Sequence, residues 1–228
     1  MRLIPFLLLS LVMNAQQVEL ITYGLKLGAI HSKISNLPEM LTGRDHSLQQ
    51  YTLKSEGVYG IETGFFANFK LYDTRVAIQP ELLFRKAGEK VKYEDITGKT
   101  YEIGFDYSYL IVGASYKVYP LGGLNVGLGA FYGINLNSGN ISYESNQFGQ
   151  QFDTEYRQFY RDGIEGSNDF SLSFLLGYEF KRNFNIDFRY YLGISDALKT
   201  KNNSFQFSEN NNKTSTFSFS VGYSFDKL

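Results

Sequence analysis

Thr214-Ser215-Thr216-Phe217-Ser218-Phe219-Ser220-Val221-Gly222-Tyr223-Ser224-Phe225 decides the fold. Phe217, Phe219, Val221, Tyr223 and Phe225 fall on every second position, and Ser218, Ser220, Gly222 and Ser224 fall between them. A β-strand turns successive side chains to opposite faces, so this segment has one apolar surface and one small, polar surface. Alternation of this kind, repeated without long apolar runs, marks a transmembrane β-barrel with a lipid-facing exterior and a polar interior.

Working upstream, period-two alternation gives eight candidate strands in all. They run from Tyr23 to Ser32, Val58 to Leu71, Arg75 to Arg85, Tyr109 to Tyr119, Leu124 to Leu136, Asp169 to Phe180, Phe184 to Ser195, and Thr214 to Phe225. Their connections alternate strictly. Tyr72 to Thr74, Pro120 to Gly123 and Lys181 to Asn183 are tight, whereas Lys33 to Gly57, Lys86 to Ser108, Asn137 to Asn168 and Asp196 to Lys213 are long. Outer-membrane barrels have short periplasmic turns and longer external loops, and an even strand count leaves both termini in the periplasm. The expected fold is all-β: an eight-stranded antiparallel up-and-down transmembrane barrel spanning residues 16–228.

Residues 1–15 read as a secretory signal peptide, with Arg2 as the positive n-region, Leu3 to Val12 as the apolar core and Ala15 before the cut. A predominantly apolar run of about ten residues is too short for a membrane helix, which needs about 20. The chain has no Cys, which excludes disulfides and thiolate metal sites. A net charge of -1 supplies no field for nucleic acid. The localisation expected is the bacterial outer membrane, with lipid as the surrounding partner and a monomer as the working unit.

Facing the strands by parity leaves the outward set uncharged and sends Lys26, Glu62, Lys70, Glu81, Arg85, Lys117, Glu179, Asp187 and Arg189 inward. Five positive and four negative charges nearly cancel. An eight-stranded interior is just wide enough for side chains to fill. The inward set therefore predicts a plug of ion pairs in which Glu62, Glu81 and Glu179 each meet Lys or Arg, because an unpaired buried charge is costly. Pro80 is the one misfit: it lies mid-strand without an N–H, and a bulge at Gln79 and Pro80 is the expected remedy.

Four short motifs carry a resemblance. Gln79-Pro80-Glu81-Leu82-Leu83-Phe84, Gly24-Leu25-Lys26-Leu27-Gly28, Arg189-Tyr190-Tyr191-Leu192-Gly193 and Val221-Gly222-Tyr223-Ser224-Phe225 resemble an outer-membrane β-barrel family common in Bacteroidota, often labelled porin-family or PorT-like. The resemblance implies an eight-stranded barrel like the membrane domain of OmpA, and the family's motif contains the proline. The fourth strand departs from it, with Leu110-Ile111-Val112-Gly113 where the family tends to have Leu-Glu-Ile-Pro.

Function is expected in the long loops. Lys90 to Tyr93 and Thr100 to Ile103 flank Thr97-Gly98-Lys99 as a hairpin that prolongs two strands, and Ser204 to Ser208 and Lys213 to Ser218 do the same around Asn210 to Asn212. The third loop interleaves Phe152, Tyr156, Phe159 and Tyr160 with Arg157, a mixture over-represented where proteins meet partners. The preferred reading of those aromatics is nevertheless that they pack the loop on itself or mark the headgroup boundary, where Tyr gathers. A lipid-modifying enzyme needs a nucleophile with a nearby base. The two histidines, His31 and His46, give poor support for one, because adjacent His31 and Ser32 point to opposite faces. The reading is a structural or adhesive barrel that binds an extracellular or envelope protein, without enzymatic activity, cofactor or metal. A narrow porin-like channel and a lipid-modifying enzyme are the alternatives.

Overall fold

A computed structural model describes residues 18–37, 51–71, 75–146, 150–180, 183–201 and 211–225. The signal-peptide reading of residues 1–15, His46, most of the Lys181 to Asn183 link, the Tyr72 to Thr74 link and the 204–210 hairpin lie outside them. Eight long strands form the barrel: β1 Val18–Ile34, β2 Tyr51–Leu71, β3 Val76–Asp95, β4 Thr100–Leu121, β5 Leu124–Asn135, β8 Asp169–Glu179, β9 Phe184–Asp196 and β11 Lys213–Ser224. Three short strands and a helix are added: β6 Ile141–Ser145, β7 Ile164–Gly166, β10 Leu198–Thr200 and α1 Gln150–Gly163.

The long strands pair in the order β3-β2-β1-β11-β9-β8-β5-β4, and β4 returns to β3, which closes the ring and removes every edge at membrane depth. Following paired residues from His31 through Phe217, Tyr190, Phe174, Leu128, Tyr116, Ile78 and Phe69 returns to β1 at Ile21, ten residues lower. With about 3.3 Å per residue and about 4.8 Å between strands, that stagger tilts the strands by roughly 40°. Tilt and stagger together set a lumen that side chains can fill.

Outward positions are apolar and exposed around the whole ring, as at Leu27, Phe65, Val112, Leu128, Phe174, Phe188 and Phe217. Inward positions carry the buried charges. Pro80 is accommodated without the expected bulge. The β2–β3 register is the same on both sides of it, Phe66↔Glu81 and Phe69↔Ile78, with only the intervening rungs missing, and Pro80 pairs in line with Ala114 on β4. The missing N–H therefore costs rungs on one side and leaves the alternation intact. The bulge in β2 lies elsewhere, between Gly57 and Glu62. At the periplasmic end β4 turns into β5 at Gly122, whose φ of +49° suits a residue without Cβ.

Beyond the membrane the polarity of β3 and β4 inverts. Outward Phe84 and Leu110 give way to Lys86, Lys90 and Lys92 and to Ser108 and Asp106, while inward Val91, Ile103, Phe105 and Tyr107 are buried. These inner faces, with Ile34, Ile141, Ile164 and Leu198, form a hydrophobic core above the barrel. Tyr51–Gly57, Glu89–Asp95, Thr100–Phe105 and β6 pair side by side as a small extracellular sheet. The hairpin turns at Thr97-Gly98-Lys99, where Asp95 accepts from the N–H groups of Thr97, Gly98 and Lys99. The stretch from Asn137 to Asn168, expected to be an open loop, instead holds β6, α1 and β7, with β7 paired to β10.

Candidate functional site

The lumen is the first place to look for function, and side chains cross it at successive levels. Nearest the periplasm, Glu179 accepts from Lys70 (2.9 Å), Lys117 (3.2 Å), Asn68 (3.2 Å) and the Tyr119 hydroxyl (2.5 Å). Lys117 also donates to Gln79 Oε1 at 3.0 Å, and Gln79 donates onward to Glu81 at 3.2 Å. At mid-barrel the Lys26 ammonium lies 2.9 Å from both Glu81 Oε2 and Asp187 Oδ2, and Arg189 reaches Glu81 Oε1 at 2.6 Å. Closer to the cell exterior Arg85 holds Glu62 at 2.8 and 2.5 Å, Ser218 donates to Glu62, and the Arg85 guanidinium sits 3.7 Å from the centre of the Tyr191 ring. Lys26, Glu62, Glu81, Arg85, Lys117, Asp187 and Arg189 are all buried, and Glu179 is half-buried at the open periplasmic end.

Opposite charges bonded inside a low-dielectric lumen attract strongly, yet burying them is itself costly, so such a network is held together chiefly by the penalty for breaking it. Alternation alone did not expose the second half of the plug. Ile30, Leu83, Ile111, Phe131 and Tyr191 are also buried inside the ring, and Phe131 packs edge-on against Tyr191 at 5.4 Å. Polar pairs fill the periplasmic half of the lumen, and aromatic and aliphatic side chains share the extracellular half.

The third-loop residues stand on α1. Phe152, Tyr156, Phe159 and Tyr160 recur at helical spacing, a signal present in the sequence that an aromatic count obscures. Tyr156 and Tyr160 stack on Tyr143 of β6 at 5.3 and 5.8 Å, and Tyr143 continues a stack through Tyr101 to Tyr93. Phe152 leans on Tyr156 at 4.3 Å. Arg157 donates to the Tyr143 carbonyl at 3.4 Å and Arg161 to the Ile141 carbonyl at 2.9 Å. Asp153 accepts from the Ser145 hydroxyl at 2.6 Å. Self-packing thus accounts for Tyr160 and Arg157, while Phe159 and Tyr156 keep 48% and 40% of their surface exposed.

Sequence reasoning also passed over Glu89. It is buried above the barrel and accepts hydrogen bonds from the Ile34 N–H and the Ser55 hydroxyl, tying β1, β2 and β3 together. Burial pushes its carboxyl up to about 7, against the opposing influence of the Ile34 N–H and Lys33. His31 lies on the outer wall against Tyr59, with ring centres 4.8 Å apart, while Ser32 faces inward and is buried, so the two do not meet.

With the ring closed, its outer wall apolar and its inner wall charged, one comparison is decisive. The model of the outer membrane protein beta-barrel domain family matches residues 14–199. The chain belongs to that family. Its place is the bacterial outer membrane. No curated protein matches the chain. Among solved structures, Ail of Yersinia pestis, in complex with the heparin analogue sucrose octasulfate, is similar at 15% identity and a TM-score of 0.43, over 90% of this chain and 99% of that one. OprG of Pseudomonas aeruginosa is similar at 14% identity and 0.41, over 90% and 94%. The outer membrane protease OmpT of Escherichia coli is similar at 9% identity and 0.38, over 91% and 97%.

Proposed function

We propose that this outer-membrane barrel conducts nothing and works from its extracellular cap, as an adhesive or partner-binding platform without enzymatic activity. The observation that carries the reading is the crossing of the lumen at several levels, from Glu179 through Lys26–Glu81–Arg189 to Phe131 and Tyr191. A lumen crossed by paired charges and packed rings argues against a continuous solute path and favours the outside surface for recognition. There the sheet built on β3 and β4 holds α1 in place, and α1 turns Phe159 and Tyr156 toward solvent. Aromatic side chains held on a rigid support lose little entropy on binding, which suits them to anchor a partner.

Purified, folded protein in planar bilayers tests the first half of the proposal. The expected result is the absence of steady single-channel steps, and reproducible ion-selective steps would overturn it. The second half is tested by attachment of cells expressing the protein to surfaces coated with extracellular matrix or with neighbouring cells. Phe159→Ser combined with Tyr156→Ser should reduce attachment severalfold at equal surface expression. Attachment equal to that of cells lacking the protein would remove the adhesive reading.

A further inference from the structure

The outer wall is not uniform where it leaves the membrane. Allowing for the tilt, the outward face turns polar at one level on most of the strands, β5 with Ile134 and Leu136 excepted. That level is marked by Ser108 and Asp106 on β4, Asn168 before β8, Asp196 on β9, Lys33 on β1 and Lys86 on β3. Two cations at this level, Lys33 on β1 and Lys86 on β3, lie on one side of the ring. Lys213 on β11 is bonded to Asp196 at 2.8 Å, whereas Lys33 and Lys86 form no ion pair among the described residues. His31 lies on the same face, between these two lysines and the apolar band.

The bulge in β2 shapes this patch. It lies between Gly57 and Glu62 and thrusts Tyr59 outward until 81% of the residue is exposed. Gly57 keeps the space beside it open. A Cβ there would lie 2.6 Å from His31 Nε2 and 2.7 Å from Lys33 Cγ, so both side chains pack over Gly57. Directly below lies a shallow, open apolar notch of about 600 Å³ that runs from β2 across to β8, with Ala29 as its smallest outward-facing side chain and Tyr59, His31, Phe217, Phe219, Phe188 and Phe174 among its lining. That volume lies within the range of roughly 300–1,000 Å³ typical of ligand clefts.

We propose that this wall binds one phosphorylated, multiply acylated glycolipid of the outer leaflet, of the lipid A type. An acyl chain occupies the notch over Ala29, and a phosphate sits on the rim made by Lys33, Lys86 and His31. Each half of the site matches one half of such a lipid. The notch lies inside the apolar band, where hydrocarbon is the surrounding medium. The cations lie at the headgroup level, where lysines are drawn to anionic lipid. Tyr59 stands between them, at the depth where amphipathic rings gather.

The test uses the folded full-length protein in neutral maltoside detergent, titrated with bis-phosphorylated hexa-acyl lipid A and read by native mass spectrometry. Folding of each variant is checked by its heat-dependent electrophoretic shift. One lipid should be retained per barrel. The pair Lys33→Ser and Lys86→Ser should weaken retention on the order of tenfold. Ala29→Phe, which fills the notch from the lipid side and leaves the lumen untouched, should abolish it. Ala114→Phe on the opposite outer wall should change nothing. Retention indifferent to either the lysine pair or Ala29→Phe, or equal retention of uncharged diacylglycerol, would overturn the proposal.

Discussion

Arg161 donates its Nε–H to the carbonyl of Ile141 at 2.9 Å, and so closes the outer edge of β6 with a helix in place of a strand. The match is geometric. Asp153, Arg157 and Arg161 recur every four residues, about 6 Å along α1. Ser145, Tyr143 and Ile141 recur every two, about 6.6 Å along β6. Running antiparallel, the three side chains meet three successive edge groups: Asp153 takes the Ser145 N–H, and the arginines take the two carbonyls. An open edge invites pairing with another chain, and this one is covered. Arg161→Met should weaken local protection by about 1–2 kcal/mol, measured as faster amide exchange across residues 141–145 with the barrel unaffected. Unchanged exchange would mean that the edge is held by something else.

Glu81 serves both Lys26 and Arg189, so its loss strands the buried Arg189 and leaves Lys26 with Asp187 alone. Glu81→Leu should cost about 3–5 kcal/mol and lower the unfolding temperature in detergent. Leu82→Ala, next in sequence but facing lipid and 46% exposed, should cost much less, because detergent fills the gap. Equal losses would reverse the assignment of faces.

Glu89 gives the cap a pH dependence of unusual sign. Its carboxyl is raised from 4.5 to about 7 in the folded chain, so between those values the folded state holds a proton that the unfolded state has lost. Stability from this residue is full below pH 4.5, declines as the pH climbs, and levels off above 7. The ceiling of the effect is roughly 3 kcal/mol. Glu89→Gln keeps the side chain neutral. It should flatten the decline and leave the cap more resistant to protease than wild type at pH 8. A variant with the same pH profile as wild type would place the titrating group elsewhere.

Orientation is open to labelling, since the chain lacks cysteine. Thr97→Cys at the hairpin tip should react with an impermeant maleimide on intact cells. Leu121→Cys, exposed beside the β4–β5 turn, should react only after the outer membrane is opened. The opposite pattern would invert the barrel.

Period-two alternation made the ring legible because lipid imposes the same rule on every strand. Charges at Lys26, Glu81 and Arg189 were legible as inward for the same reason, and only their pairing required three dimensions. The apolar set in β4 moves from even positions, Tyr116 to Leu110, to odd positions, Tyr109 to Ile103. That phase shift is where water replaces lipid outside, and it is visible in the sequence to a reader who tracks parity instead of strand ends. The α1 segment was obscured because its aromatics invite comparison with a binding loop, although their spacing is helical. Glu89 could not have been recognised at all: a lone carboxylate in a charged hairpin looks solvated until Ile34 and Ser55 are known to surround it. Pro80 was over-interpreted. A strand can forgo rungs on one side without inserting a residue, provided the other neighbour keeps register.

β3 and β4 run unbroken from the membrane into the cap, with nineteen consecutive residue pairs from Val76↔Val118 to Glu94↔Thr100. This continuity has a mechanical meaning. A pull on the Gly98 tip acts along both strands, so the rungs that join them to β2 and β5 share the load in parallel and resist sliding together. A pull on α1 meets Asp153, Arg157 and Arg161 one after another, and those contacts peel in series. The cap therefore offers a stiff handle at the hairpin and a compliant one at the helix. A partner attached to the helix would be released at forces that leave one attached to the hairpin in place.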